Sequence, residues 1–141
     1  MGPRAISLAA VSLATLMAAP ALAAGNLAAN GVDLPELKID TADLKFSQNE
    51  YDLETGKYYR LTISSDGGDE ISFVAADMWR NAWINSVSID DVAVEASGIS
   101  AIAFDNEGSA EIAFVPVRPG EYAFYAPGYE NKGLKGKFVV K

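Results

Sequence analysis

The stretch Tyr122–Lys141 reads YAFYAPGYENKGLKGKFVVK, the spacing of a strand, a loop punctuated by glycine, and a second strand. EYAFYA forms the first strand, and LKGKFVVK the second, with Leu134, Phe138 and Val140 on the inward side of a period of two. Gly133 and Gly136 are expected to supply turn freedom. The same signature recurs upstream. KYYRLTIS places Tyr59, Leu61 and Ile63 on one face and Tyr58, Arg60 and Thr62 on the other. LKFSQ, YDL, EISFVA, SVSIDDVAV, ISAIAF and AEIAFV are further short runs. Turn signals at Glu54-Thr55-Gly56, Asp66-Gly67-Gly68, Asn106-Glu107-Gly108 and Arg118-Pro119-Gly120 separate them. Short strands punctuated in this way predict an all-β fold, an antiparallel Greek-key β-sandwich or barrel. One segment departs from the pattern. ADMWRNAWIN, residues 76–85, sets Trp79 and Trp83 four apart and predicts a short helical excursion with both rings on one face.

The chain opens MGPRAISLAAVSLATLMAAPALA, with a basic residue at Arg4, an apolar run, and a small-x-small ending at Ala21-Leu22-Ala23. This predicts a cleaved signal peptide over residues 1–23 and a periplasmic protein. The run is shorter than the ~20 residues of a spanning helix, so no membrane anchor is expected after cleavage. Residues 24–42 read as a flexible lead-in, and residues 43–141 as the folded domain. The formal net charge of −8 disfavours nucleic acid and anionic lipid and favours a partner with a basic surface, or solubility alone. The chain has no His and no Cys, so imidazole bases, thiolates and disulfides are all excluded. An enzyme would need a carboxylate pair or a Ser-Lys arrangement, and no spacing points to either. A non-enzymatic role is expected.

Three segments together resemble the cupredoxin family of small blue copper proteins. They are the strand pair YDLETGKYYRLTI, the turn and aromatic strand VRPGEYAFYA, and the closing GLKGKFVV. The resemblance implies a cupredoxin-type sandwich over roughly Lys45 to Lys141. Laid on the family pattern, the copper-ligand positions fall on Asp69, Ala126, Tyr129 and Leu134, in place of His, Cys, His and Met. Blue copper requires a thiolate, two imidazoles and a weak axial ligand, and this set supplies none of them. The resemblance therefore implies a domain that has lost its copper ligands and carries no cofactor, with Ala126 and Leu134 filling the old cavity.

Two candidate sites follow from residue type. Asp66, Asp69, Glu70 and Asp77 lie close in sequence and have the chemistry of a hard-cation site, although the spacing has no EF-hand register; the plainer reading is a solvated turn. An unusual metal site through oxygens of Asp69, Glu70 and Tyr129 is the alternative to a copper-free protein. The leading expectation is a periplasmic binding or accessory module that docks a partner protein through Trp79, Arg80, Trp83 and Tyr129, residue types enriched at binding hot spots. Against this, two Trp residues at helical spacing more often plug one end of a small core, and both readings hold if one ring is buried and the other exposed. Lys132, Lys135, Lys137 and Lys141 make the last strand basic, which reads as protection of an exposed sheet edge.

Overall fold

Alternate burial runs along the strands and builds a two-sheet sandwich. The computed structural model describes Gly2, residues 30–90 and residues 92–141. The strands are β1 (Val32–Asp33), β2 (Leu37–Asp40), β3 (Lys45–Phe46), β4 (Glu50–Leu53), β5 (Tyr59–Ser65) and β6 (Ile71–Val74). After the helix α1 (Ala76–Arg80) come β7 (Ala82–Ile89), β8 (Val92–Val94), β9 (Ala101–Phe104), β10 (Gly108–Pro116), β11 (Gly120–Tyr125) and β12 (Lys135–Val140). One sheet has the order β3-β2-β5-β10-β7-β8, with β1 also on β5; the other has the order β4-β12-β11-β6-β9. In β5, Tyr59, Leu61, Ile63 and Ser65 are buried while the residues between them are half-buried, as the alternation predicts.

The sheets are mixed rather than wholly antiparallel, since β1 and β2 run parallel to β5 and β12 runs parallel to β4. Strand periodicity carries no information about partner direction, so this was invisible in the sequence. The expected lead-in also needs correction from residue 30 onward. It contains β1 and β2, and Leu37 and Ile39 are fully buried in the core. Two inward residues are too few to register as a period, and their burial depends on β5 offering a free flank. Residues 24–29, and all of the expected signal peptide except Gly2, lie outside the described residues.

The expected excursion over residues 76–85 is half helix and half strand. α1 ends at Arg80, and from Ala82 the chain pairs with β10, setting Trp83 opposite Val115. The ladder hydrogen bonds outcompete a second helical turn, and the two tryptophans do not share a face.

The core is a connected set of aromatic rings. Phe124 lies 5.0 Å from Phe138, 5.5 Å from Phe73 and 5.7 Å from Phe46 between ring centroids. This packing explains Gly136, where a Cβ would collide with the Phe124 ring and with the Asn49 carbonyl. Its role is close approach rather than turn freedom. β12 is also interior to its sheet, flanked by β4 and β11, so its lysines protect no edge. Lys137 instead reaches Glu121 at 3.0 Å and Glu50 at 3.6 Å, and Lys141 reaches Asp52 at 2.9 Å, which ties together the outer faces of the three strands.

The link between β2 and β3 is held to the loop after β5 by Asp66. Its carboxylate accepts a hydrogen bond from the Thr41 hydroxyl at 2.7 Å and another from the Thr41 N–H at 3.1 Å. The Thr41 hydroxyl and these backbone N–H groups hold its pKa below the ordinary 3.8. A depressed folded pKa stabilises above the unfolded value and ceases to do so as pH falls through the folded value. In urea midpoints measured across pH, Thr41→Val should be less stable than the parent near pH 7, and the gap should narrow toward about pH 3.

Candidate functional site

The loop between β11 and β12 closes on itself through its own backbone. The Ala126 N–H donates to the Leu134 carbonyl at 3.0 Å, the Tyr129 N–H to the Ala126 carbonyl at 3.0 Å, and the Leu134 N–H to the Tyr129 carbonyl at 3.3 Å. A 3-10 turn over Glu130–Lys132 ends at Gly133, whose φ of 118° is one that residues with a side chain rarely adopt. Ala126 and Leu134 are fully buried in the core cluster. Tyr129 is half-buried against that cluster, and the Lys132 ammonium lies 5.2 Å from its ring centroid.

The four positions expected from the family pattern to correspond to copper ligands present a carboxylate, a methyl, a phenol and an isobutyl group. Asp69 is exposed, while Ala126 and Leu134 contribute apolar volume to the core. These residues do not fit a blue copper ion, because no soft donor and no imidazole is among them. Glu70 and Tyr129 line a shallow pocket of about 250 Å³ with Phe104, Asp105 and Pro127, and Asp69 is not part of its wall. Among the described residues, no group of three or more His, Cys, Asp or Glu side chains is placed to hold a metal ion. The acidic run of the sequence is dispersed: Asp66 holds Thr41, and Asp77 pairs with Arg80 at 3.1 Å along α1.

The four residues expected to form one docking face are divided. Trp79 is 3% exposed and packs on Phe114 and Phe138 at centroid distances of 5.3 and 5.8 Å. The ring therefore serves as core filling and presents no surface, and its indole N–H has no acceptor among the described residues. Trp83 is 44% exposed and Arg80 is exposed, both near the start of β11, where the Val117 N–H donates to the Asn81 carbonyl at 2.9 Å. Tyr129 lies past the far end of β11, roughly 20 Å of strand away. Spacing in sequence could not show this, because it depends on which end of the sandwich each connection occupies. The surface residue that sequence reasoning missed is Val117, 58% exposed and two residues beyond the Val115 that pairs with Trp83.

No family model matches the chain, and no curated protein matches it. Solved structures do. A laccase from Pediococcus acidilactici superposes with a TM-score of 0.64 at 8% identity, over 79% of this chain and 27% of that one. The fold is cupredoxin-like. Auracyanin from the photosynthetic bacterium Roseiflexus castenholzii matches with a TM-score of 0.51 at 20% identity, over 80% of this chain and 98% of that chain. A multicopper oxidase from Campylobacter jejuni matches with a TM-score of 0.58 at 10% identity, and the chain spans 31% of its length. The cupredoxin-like domain described here thus corresponds to nearly a whole auracyanin and to about a third of an oxidase.

Leu134 is fully buried, so Leu134→Ala should destabilise the fold by roughly 2–5 kcal/mol. Leu134→Met conserves volume, so it should cost less than ~1.5 kcal/mol by the same denaturation measurement.

Proposed function

We propose that this chain is an exported, periplasmic, copper-free cupredoxin-like module that docks a partner protein through the surface around Trp83. The observation that carries this reading is the half-exposed indole of Trp83 beside Val117, with Arg80 and Arg118 exposed nearby. Aromatic, aliphatic and guanidinium groups in one patch are the composition of a binding hot spot, and a core has no use for an exposed indole. The signal-peptide character of residues 1–23 supports export. Oxidase activity belongs to the matched oxidases.

Purified protein titrated with Cu²⁺ should develop no intense thiolate-to-copper absorption and no tight one-to-one site, because the soft and imidazole donors are missing. A nanomolar complex abolished by Glu70→Ala would instead favour a metal-handling protein with an oxygen site at Glu70 and Tyr129.

The tryptophans separate docking from core filling. Trp83→Ala should change stability by less than about 1 kcal/mol and remove the red-shifted, iodide-quenchable part of the fluorescence. It should also weaken partner binding by ~2 kcal/mol or more. Trp79→Ala should destabilise by roughly 3–5 kcal/mol. If photo-crosslinking from position 83 in the periplasm joined no protein, the docking role would be refuted.

A further inference from the structure

The two flanks of the sandwich differ. On one side β3 and β4 are the sheet edges, and three residues join them directly. On the other side the edges are β8 and β9, and here apolar surface is left uncovered. Ile89, Val92 and Val94 are exposed, which is half of the exposed large hydrophobic residues in the described chain. Register places Val94 opposite Val87 and Val92 opposite Ile89, so all of them share the side of the hairpin that carries the buried Val87. This side faces the gap between the sheets. Ile89, Ile102, Phe104 and Ala110 line a slot there of about 220 Å³, with Asp90, Asp105 and Glu107 around it.

The backbone of β8 is also available. β7 and β8 are joined through Asp90, whose φ is 47°, and one further residue, so Ile89 and Val92 form the hydrogen-bonded pair that closes a two-residue hairpin. Alternation then makes Ser88 and Ala93 a pair without hydrogen bonds, and the N–H and C=O of Ala93 point away from β7, out of the sheet. An edge of this kind is a template for another strand.

Charge selects what that strand can be. Residues 81–117 contain six Asp and Glu and no Lys or Arg, and topology gathers Asp90, Glu95, Asp105 and Glu107, all exposed, around this flank. A second copy of the chain would bring the same carboxylates against them, and like charges across an interface repel.

We propose that the β8 edge is a docking site for an extended cationic segment of another polypeptide. The segment adds to β8 as a further strand through the backbone of Ala93. It seats alternate apolar side chains over Ile89, Val94 and Ile102, and the Lys or Arg residues between them turn to the outer face of the sheet, toward Asp90 and Glu95, in the acidic field of the whole flank. This site lies between the sheets, apart from the Trp83 surface, and stands whether or not that surface docks a partner.

A fluorescein-labelled peptide Lys-Val-Lys-Val-Lys-Val-Lys, titrated with the purified chain and read by anisotropy, tests this. Saturable one-to-one binding is expected, weakening as salt is raised because the rim charges are screened. Ala93→Pro removes the edge N–H, and Val94→Asp removes apolar surface while adding negative charge. Each should raise Kd at least tenfold with the thermal melt preserved, and amide exchange at Ala93 should slow when peptide is bound. The matching Lys-Ser-Lys-Ser-Lys-Ser-Lys peptide should bind at least tenfold more weakly. Equal affinity for both peptides, or unchanged or tighter binding to Val94→Asp, would reduce the effect to general charge attraction and overturn the proposal. So would a concentration-dependent dimer in sedimentation, dispersed by Val94→Asp, because the occupant would then be a second copy.

Discussion

The sandwich depends on one close approach, the ring of Phe124 lying across the bare backbone of Gly136. β11 and β12 pair at these two residues, and the missing side chain lets the ring cross between the strands without displacing either. From there Phe124 reaches Phe46, Tyr51, Phe73 and Phe138, contributed by β3, β4, β6 and β12. Trp79 extends the set from Phe138 to Phe114 on β10, in the opposite sheet. Ring-to-ring contact thus connects the two sheets, and each large ring withdraws roughly 150–250 Å² from water. A protein without disulfides has this burial, and the pairing of its strands, to hold it together.

The same core accounts for the closure of a cupredoxin-like loop that has no His or Cys. The hydrogen bond from Ala126 to Leu134 and the burial of both side chains draw the ends of β11 and β12 together. The polar chemistry of the molecule has moved outward, and it is unevenly distributed. Every Lys and Arg from residue 30 onward lies outside residues 81–117, so the cross-strand ion pairs fall on β1 and β5, on β2 and β3, and on β4, β11 and β12, while the flank of β8 and β9 is purely acidic.

What the sequence made legible was whatever depends on local period. Tyr59, Leu61 and Ile63 in β5, and Leu134, Phe138 and Val140 around β12, face inward as their spacing requires. Ala126 and Leu134, singled out by the resemblance of one loop, are both buried in the core. What failed depends on partners distant in the chain. β2 is a strand because β5 has a free flank, Trp83 is on a strand because β10 competes for its backbone, and β12 is interior because β4 runs alongside it. The grouping of Trp79, Arg80, Trp83 and Tyr129 on one face came apart for the same reason, since no spacing reveals which end of a strand a loop occupies. The void of positive charge over residues 81–117 was readable from the start, but only the topology places it on an open edge.

The interior position of β12 governs the order in which the molecule can be made. β4 is synthesised early and β11 late, yet neither has its central neighbour until β12 has been translated, because β12 lies between them. Before that, β4 has no partner in the second sheet and β11 is paired on one side only, through β6, and the Tyr51 and Phe124 rings lack the Phe138 they pack against. Non-local pairing of this kind is slow, with folding on the scale of roughly milliseconds to seconds for such β-topologies. β4 is therefore joined to its sheet only when β12 is in place, and the parallel β4–β12 pairing links segments more than eighty residues apart in the chain.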